Sequence, residues 1–288
     1  MNEASIAIIY DNTIRPDTTG IYFKKGLEEM EGVSIDHYNS KSYLDDSIQD
    51  KYDLYLCIDD GFDKNKPIRI YKSGVTAFYA IDTHLTFKSK VLKAKLYDFV
   101  FCAQRDAVKK MRSIGINAFW VPLGFDEILH RKQAVEKIYD LAFIGNINIS
   151  AARRKLVKRY KDKYKTFIGK APNSEISKIY SQSKIVINLP IKNDINMRFF
   201  EAIGSGSLLL SKKVNNGEDE IVQDKIHYVN FYNWWDLDRK IAYYLSHDEA
   251  REKIANAGYN LAINNFTYKK RIELMLDIIN FHIIDKKI

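Results

Sequence analysis

Short apolar runs alternate with stretches of helical periodicity along the whole sequence, and this alternation restricts the chain to few folds. Such alternation is typical of parallel sheets covered by helices. The predicted strands are residues 6–10, 33–37, 53–58, 76–81, 99–103 and 118–121 in the first half, and 140–144, 165–168, 185–189, 207–210 and 227–230 in the second. The sequence therefore predicts an α/β fold with two doubly wound, Rossmann-like units.

Both periodicities are interrupted between the two sets of strands. Pro122, Gly124 and a charged stretch ending at Lys137 indicate a linker near residues 123–138. We expect domains over residues 1–123 and 138–265 and a terminal segment over 266–288. Helical periodicity covers 234–284, with a break near 264–267. Because ligands of open parallel sheets bind at the carboxyl ends of the strands, we expect a cleft lined by those ends.

Composition excludes several classes of protein. Hydrophobic residues make up 46% and charged residues 28% of 288, which is incompatible with a disordered or fibrous chain. The two cysteines, Cys57 and Cys102, lie in apolar runs and are expected to be buried thiols. No apolar run approaches the roughly 18–20 residues that span a bilayer, and residues 1–12 lack the basic n-region and the cleavage site of a signal peptide. We expect a cytoplasmic protein without a membrane span.

The positive charge is concentrated in one segment. The net charge of the chain is +8. Residues 151–170 contain nine basic residues and one acid, so the net charge of this segment alone equals that of the whole chain. Such a segment favours an anionic ligand or a polyanionic partner. Nucleic acid, a phosphate-bearing polymer and a nucleotide all fit this charge.

A polar loop follows the first predicted strand and leads into a predicted helix. It contains Arg15, Thr18, Thr19 and Gly20. The free N–H groups of a helix N-terminus can hold an anion or a substrate hydroxyl. Either threonine can equally be an ordinary N-cap.

An acid and a histidine follow the fourth predicted strand. Asp82 and His84 are two residues apart, and a carboxylate can orient a histidine that acts as a base. A loop hydrogen bond without catalytic meaning explains the same pair, and the two interpretations carry equal weight.

In the second half, Gly145 and Asn146 follow a strand and precede the basic helix. Arg153 begins the sheet-facing stripe of that helix, next to the strand ends, and is the first candidate for a phosphate ligand. Arg154, Lys158 and Lys161 lie on another face, which we expect to be solvated surface.

Candidate ligands are densest in residues 187–206, which read INLPIKNDINMRFFEAIGSG. This segment predicts a strand, a polar loop, a short helix and a glycine-rich stop. Glu201 lies one turn after Arg198, so an i,i+3 ion pair is one interpretation. The other is that the Glu201 carboxylate accepts two ribose hydroxyls.

The segment resembles the group-1 glycosyltransferases of the GT-B fold, and within them the CgeB-like branch related to spore maturation proteins. The resemblance continues through residues 227–229, 243–245, 251–259 and 266–268, and more loosely through 81–84 and 101–106. It implies two Rossmann-like domains facing a cleft, with a C-terminal helix over residues 266–288 that crosses back to the first domain.

The resemblance also implies a transferase whose second domain holds a nucleotide-sugar donor and whose first domain holds the acceptor. Glu201 matches a ribose-binding glutamate, and Arg198 and Arg153 are implied diphosphate ligands. Eight positions before Glu201 the family has a second glutamate, but this chain has Asn193. The implied donor site comprises Glu201, Arg198, Arg153, Asn188, Asn193, Gly145 and Asn146.

Under this resemblance, His84 and Asp82 would act on the reacting sugar or the acceptor. Arg15, Thr18, Thr19 and Gly20 would form an acceptor-side loop. The donor is expected to be a UDP-sugar, with a glycan, protein or other molecule as acceptor.

No cofactor or metal is expected, because arginines and helix N-termini can stabilise a diphosphate leaving group. The Asp59-Asp60 and Asp236-Leu237-Asp238 sequences resemble metal-binding motifs, but no further ligands cluster near them in the sequence.

Two alternatives stay open at the sequence level. Asn193 in place of glutamate favours a GT-B protein that binds a nucleotide sugar or glycan without transferring it. The basic segment favours a glycosyltransferase acting on modified DNA, although no known nucleic-acid-binding motif accompanies it.

Overall fold

A computed structural model of the chain describes residues 4–13, 18–40, 48–59 and 74–285. The chain divides into a first unit, Met1–Pro122 with Tyr268–Ile288, and a second unit, Leu123–Thr267. Each unit has one parallel sheet covered by helices, so the predicted α/β class is confirmed. Each predicted strand overlaps a strand among the described residues.

The first sheet has six parallel strands in the order β2-β1-β3-β4-β5-β6. They are β1 Ala4–Ile9, β2 Val33–Tyr38, β3 Leu54–Ile58, β4 Val75–Ala80, β5 Phe99–Cys102 and β6 Ala118–Trp120. Its core contains both cysteines, Cys57 and Cys102, as buried thiols. Burial raises the pKa of the Cys102 thiol to about 12, so this group stays protonated at neutral pH.

Among the described residues, three helices follow strands of the first sheet: α1 Thr19–Glu28, α2 Thr83–Ala94 and α3 Arg105–Arg112. The turn from β4 into α2 is sharp because Asp82 has left-handed backbone angles, φ 54° and ψ 30°. This turn holds both members of the predicted acid and histidine pair.

The second sheet has five parallel strands in the order β11-β10-β9-β7-β8. They are β7 Tyr139–Ile144, β8 Thr166–Gly169, β9 Ser183–Asn188, β10 Leu208–Lys212 and β11 Val229–Phe231. The helices of this unit are α4 Ala151–Tyr160, α5 Asn173–Ser181, α6 Met197–Gly204, α7 Glu218–Ile221, α8 Trp234–Ser246 and α9 Asp248–Asn265.

Side-chain caps fix where the helices at the carboxyl edge of this sheet begin. Ser150 accepts a hydrogen bond from the N–H of Arg153 at the start of α4. Asn196 does the same for Phe199 at the start of α6, and Asn233 for Asp236 at the start of α8. These caps place Arg153 and Arg198 in the first turns of their helices.

Residues 123–138, which the sequence predicts as a linker, belong to the second unit. Phe125 and His130 are fully buried there. The Ser205 hydroxyl donates to the His130 carbonyl oxygen, and the Gln133 N–H donates to the Ser181 hydroxyl. The segment therefore packs under α5 and α6 although it has no periodicity.

The last helix, α10, spans Tyr268–Asp285 and belongs to the first unit. The Tyr268 ring stacks on Tyr22 of α1 at 5.2 Å between ring centroids. The return of the C-terminal helix to the first unit is thus confirmed. Among the described residues, no helix is long and apolar enough to cross a membrane.

Candidate functional site

Arg153 connects the two loops that follow β7 and β9. Its guanidinium donates to the carbonyl oxygens of Asn146 at 3.2 Å and Leu189 at 3.1 Å. The side chain is buried, and its Nε atom has no hydrogen-bond partner. Two of its three nitrogens therefore brace the strand ends. Its role as a phosphate ligand stays a prediction.

Arg198 lies next to Arg153 at the same sheet edge. Its Nη1 atom is 3.3 Å from the position that a Cβ atom would take on Gly145, so the glycine leaves room for the guanidinium. Its Nε atom is buried without a hydrogen-bond partner. Burial, and secondly the neighbouring charge of Arg198, lowers the pKa of Arg153 to about 10. Arg153 is still cationic at neutral pH.

In the part of the chain that the structure describes, no carboxylate oxygen lies within 4.0 Å of a guanidinium nitrogen of either arginine. The i,i+3 pair between Arg198 and Glu201 is therefore not formed. Two adjacent guanidinium groups without a counter-charge, one in the first turn of α4 and one in the first turn of α6, form a site suited to an anion.

Glu201 is buried on α6 at 3% exposure, and His130 is its ion-pair neighbour. His130 Nε2 lies 3.7 Å from Glu201 Oε1. His130 Nδ1 accepts a hydrogen bond from the Asp126 N–H at 3.2 Å, so in the neutral ring Nε2 carries the proton. A protonated ring nitrogen thus faces the carboxylate.

Tyr180 of α5 lies near Glu201 and Arg198. Burial, and then the Glu201 carboxylate, raises the pKa of the Tyr180 hydroxyl, while Arg198 acts in the opposite direction. The backbone of Ile144, at the end of β7, hydrogen-bonds the hydroxyl. Tyr180 therefore stays neutral and contributes a polar group to the buried side of the site.

Asn188 supports the loop that carries the site. Its Nδ2 donates to the Ser211 hydroxyl at 3.2 Å, and its Oδ1 accepts from the side-chain Nδ2 of Asn196 at 3.3 Å. Both asparagines are buried. This chain of hydrogen bonds links the ends of β9 and β10 to the N-cap of α6. Asn188 therefore binds Ser211 with its side-chain nitrogen and Asn196 with its side-chain oxygen.

Asn193 is exposed, and both the oxygen and the nitrogen of its side-chain amide bind a neighbouring loop. Its Oδ1 accepts from the Asn215 N–H at 2.6 Å, and its Nδ2 donates to the Asn215 carbonyl oxygen at 3.1 Å. Asn216 donates to the Asn193 carbonyl oxygen at 2.8 Å. Asn193 therefore clamps the loops after β9 and β10 together. Its role toward a donor sugar stays a prediction.

The first unit holds Asp82 and His84 at the end of β4. A carboxylate oxygen of Asp82 and a ring nitrogen of His84 lie within 4.8 Å of each other. Nδ1 of His84 is buried and has no hydrogen-bond partner. The pair is close, as expected for a histidine with an orienting acid, but among the described contacts it is not hydrogen-bonded.

The loop after β1 is described only in part. Thr18 occupies the N-cap position of α1, but its side chain makes no capping hydrogen bond. Thr19 and Gly20 form the first turn. A Cβ on Gly20 would lie 2.2 Å from the Tyr10 ring, so packing requires this glycine. Arg15 lies outside the described residues.

A profile of the glycosyl transferase-like family matches residues 128–277, just over half of the chain. The chain belongs to this family. A sequence search among curated proteins gave no match. The family match covers most of the second unit, including the loops and helices that carry the arginine pair and Glu201.

Solved structures share the fold of this glycosyl transferase-like chain at low sequence identity. Sucrose-phosphate synthase from Thermosynechococcus elongatus has a TM-score of 0.64 at 11% identity, over 98% of this chain and 100% of that chain. Anabaena HepE has 0.69 at 9%, over 96% and 99%. A glycosyltransferase from Rickettsia africae has 0.64 at 12%, over 96% and 98%. The similarity shows that the fold is that of GT-B glycosyltransferases.

Sequence reasoning missed two residues of this glycosyl transferase-like site. His130 lies in the segment taken for a linker, and Tyr180 lies on a helix with no motif. The signal for His130 was present, because Asp126 precedes a short turn and its carboxylate accepts from the N–H groups of Ile128 and Leu129. No sequence signal places Tyr180 next to Glu201.

Proposed function

We propose that the protein is a glycosyltransferase that moves a sugar from a UDP-sugar to an acceptor without a bound metal. The observation that carries the proposal is the pair of uncompensated guanidinium groups, Arg153 and Arg198, beside Gly145. A sugar nucleotide carries a diphosphate that leaves with negative charge, and fixed cations stabilise that charge as it develops.

In this proposal, different residues of the second unit bind different parts of the donor. Arg198 and the N-terminus of α6 bind the diphosphate, and Arg153 holds the loops in place and adds charge. The Glu201 carboxylate accepts hydrogen bonds from the ribose, because no described donor group forms a hydrogen bond to it. Gly145 and Asn146 allow the diphosphate to approach the end of β7.

The choice of a UDP-sugar is supported by a structural neighbour. HepE from Anabaena has been solved in complexes with UDP and glucose and with UDP-glucose. Transfer of a hexose from UDP is therefore our first expectation. We also propose membership of the CgeB-like branch, on the motif that runs from Asn188 to Gly206.

Metal independence rests on the aspartates of the two sequence motifs that resemble metal-binding motifs. Asp238 is paired with Arg159 and accepts from the Tyr160 hydroxyl at 2.8 Å. Asp236 is paired with Lys240. Asp59 is paired with the buried Lys90. Each of these carboxylates is already neutralised by a protein cation, whereas Arg153 and Arg198 make no ion pair among the described residues and can bind the diphosphate.

His84 has a separate role in the proposal, on the acceptor or the reacting sugar. The partly exposed His84 ring can reach a substrate hydroxyl, and the Asp82 carboxylate within 4.8 Å would stabilise the protonated ring.

A second candidate is a protein that binds the nucleotide sugar without transferring the sugar. The observation that favours it is the amide of Asn193, which stands where the family has a glutamate and is bound to Asn215.

Calorimetry and turnover on two variants test the proposal. Glu201→Gln should weaken UDP-sugar binding about 10- to 100-fold, because a charge-assisted hydrogen bond contributes about 1.5–3 kcal/mol. His84→Ala should bind the donor normally and turn over about a hundredfold more slowly. The exposed Glu136→Gln is the matched control and should change neither value.

Unchanged donor affinity in Glu201→Gln would contradict the assignment of the ribose site. Loss of turnover on adding a chelator, with recovery in magnesium or manganese, would contradict metal independence. If the wild type binds the donor but neither transfers the sugar nor releases free UDP, the second candidate is favoured.

A further inference from the structure

The outer face of α4 and α8 forms one continuous basic surface on the second unit, here called the α4–α8 face. Arg159 of α4 is ion-paired with Asp238 of α8. Lys155 lies one turn before Arg159 on α4, and Trp234 lies one turn before Asp238 on α8. The Lys155 Nζ atom lies over the Trp234 ring, 5.3 Å from its centroid. Because these contacts advance together, the two helices lie side by side and run in the same direction.

Cations dominate this surface. Arg154, Lys158 and Lys161 are exposed on the outer side of α4, which has no acidic residue in its ten positions. The segment 151–170 carries as much net positive charge as the entire chain. The Asp238 carboxylate nearest to it is already paired, so the outward charge is uncompensated by α8.

Large aromatic side chains are exposed at the start of α8. Trp235 of α8 is 66% exposed and Tyr232, just before α8, is 63% exposed. The Arg239 guanidinium lies over the Trp235 ring at 4.7 Å from its centroid. Ile149, just before α4, is 56% exposed. Both helices begin at the carboxyl edge of the sheet, so these apolar side chains lie toward the same end.

We propose that the α4–α8 face docks on an anionic lipid surface. Tryptophan and tyrosine have an apolar body and a polar edge, which suits them to the headgroup region of a bilayer. Lysine and arginine extend to the lipid phosphates. Binding of a peripheral protein strengthens with its buried apolar area and with its electrostatic attraction to anionic lipids, and this face supplies both.

The exposed aromatics decide between lipid and nucleic acid. A duplex binds chiefly through cations on its phosphates and needs no exposed tryptophan. An anionic bilayer takes up the cations at its surface and the Trp235 and Tyr232 rings below it.

Vesicle flotation tests the proposal with the full chain. Wild type should float with vesicles that contain phosphatidylglycerol and not with pure phosphatidylcholine, and high salt should release it. Each basic residue at such a surface contributes a factor of about five. Lys158→Glu with Lys161→Glu should therefore weaken binding at least about 25-fold. Trp235→Ala should weaken it several-fold.

Lys88→Glu with Lys109→Glu is the matched control, because both lysines are exposed on the first unit and the net charge changes equally. It should bind anionic vesicles within a factor of about two of wild type. An equal loss in this control would show that bulk charge alone is responsible and would overturn the proposal.

Three further outcomes also overturn it: equal binding to neutral vesicles, no effect of Trp235→Ala, or tighter binding to duplex DNA than to anionic vesicles at the same salt. The substituted side chains are exposed, and unchanged melting temperatures of the variants will confirm intact folding. Salt release of the wild type gives a second measurement that needs no variant.

Discussion

At the scale of single residues, His130 and Glu201 form a unit whose order follows from one backbone hydrogen bond. The Asp126 N–H donates to Nδ1 of His130 and thereby directs the protonated Nε2 toward Glu201 Oε1. A buried carboxylate is stabilised by such a donor, and it is also held in one rotamer. His130 is therefore a positioning residue for the proposed ribose contact.

Substitution of His130 should change donor affinity more than turnover. His130→Phe removes the N–H that faces Glu201 and should raise the KM for the UDP-sugar by at most about 12-fold, because the 3.7 Å contact is longer than a hydrogen bond and contributes less than the about 0.5–1.5 kcal/mol of one. His130→Gln retains an N–H donor and should stay close to wild type. Steady-state kinetics and melting temperature are measured on the same preparations.

A double-mutant cycle separates positioning from simple packing. In a Glu201→Gln background, His130→Phe should have little further effect on KM, because the carboxylate that it orders is gone. Equal losses in both backgrounds, or a fall in kcat together with melting temperature, would show that His130 acts only through the fold.

The sequence predicted where the site residues lie but not what they contact. Glu201, Arg198 and Gly145 all lie at a strand end or in the first two turns of a helix after a strand, and this placement follows from periodicity alone. The partners of Arg153 and Asn193 are carbonyl oxygens and N–H groups of other loops. Local sequence carries no signal for such contacts.

At the scale of elements, the strands were the most predictable feature. In a parallel sheet covered on both faces, each strand must be apolar on both sides, so the strand appears as a short continuous apolar run. The helix boundary at His247 was not predicted. Its signal was the pair Asp248 and Glu249, which lie in the first turn of α9 and favour a helix start.

The segment 123–138 shows where pattern reasoning fails. Its buried residues, such as Phe125 and His130, are covered by tertiary contacts and show no periodicity of their own, so the sequence indicates a linker. Lys137 is the clearest case. Its ammonium donates to the Ser183 carbonyl oxygen at 2.9 Å and to the Ser207 hydroxyl at 3.1 Å, next to the starts of β9 and β10. Burial lowers the pKa of Lys137 to about 8.

This lowered pKa predicts a pH dependence of stability. Between pH 8 and 10.5 the folded lysine has lost its proton while the unfolded one, with its ordinary value of 10.5, keeps it. The folded state binds fewer protons in this window, so the lysine's contribution to stability rises with pH through it. From pH 7 to 9.5, the free energy of unfolding should rise by roughly 1–2 kcal/mol relative to Lys137→Met.

Urea unfolding of both proteins at the two pH values gives this difference. Other titrating groups are common to both proteins and cancel. Two stability curves that stay parallel across the window would mean that Lys137 keeps an ordinary pKa and that the segment is looser than the structure shows.

At the scale of the whole molecule, the chain completes its first unit only with its last helix. The strands of both units follow one another in sequence, but α10 returns to α1 after the whole second unit has been formed. Tyr268 packs on Tyr22 and on Phe23, at 5.2 Å between centroids in each case. Ile272 and Met275, on the same helix, are buried.

Gly26 of α1 permits this packing, and its substitution tests how much stability α10 contributes. A Cβ at this position would lie 2.8 Å from Ile272 Cδ1 and 3.0 Å from the backbone nitrogen of Lys269. Alanine gains about 1 kcal/mol of helix propensity over glycine, which offsets a contact that is too short by a few tenths of an ångström. Gly26→Ala should therefore unfold close to wild type.

Gly26→Leu should be destabilised by about 2 kcal/mol or more in urea unfolding. Its further carbon atoms meet the Lys269 backbone, which can move away only if α10 separates from α1. Overpacking costs about 1–3 kcal/mol. Each large apolar side chain that separation exposes adds about 1.5–3 kcal/mol, and the propensity gain of about 1 kcal/mol is too small to compensate. Donor affinity, measured well below the melting temperature, serves as the control that the second unit is intact. If Gly26→Leu were as stable as Gly26→Ala, the close approach of the two helices would be wrong, and α10 would contribute little to the first unit.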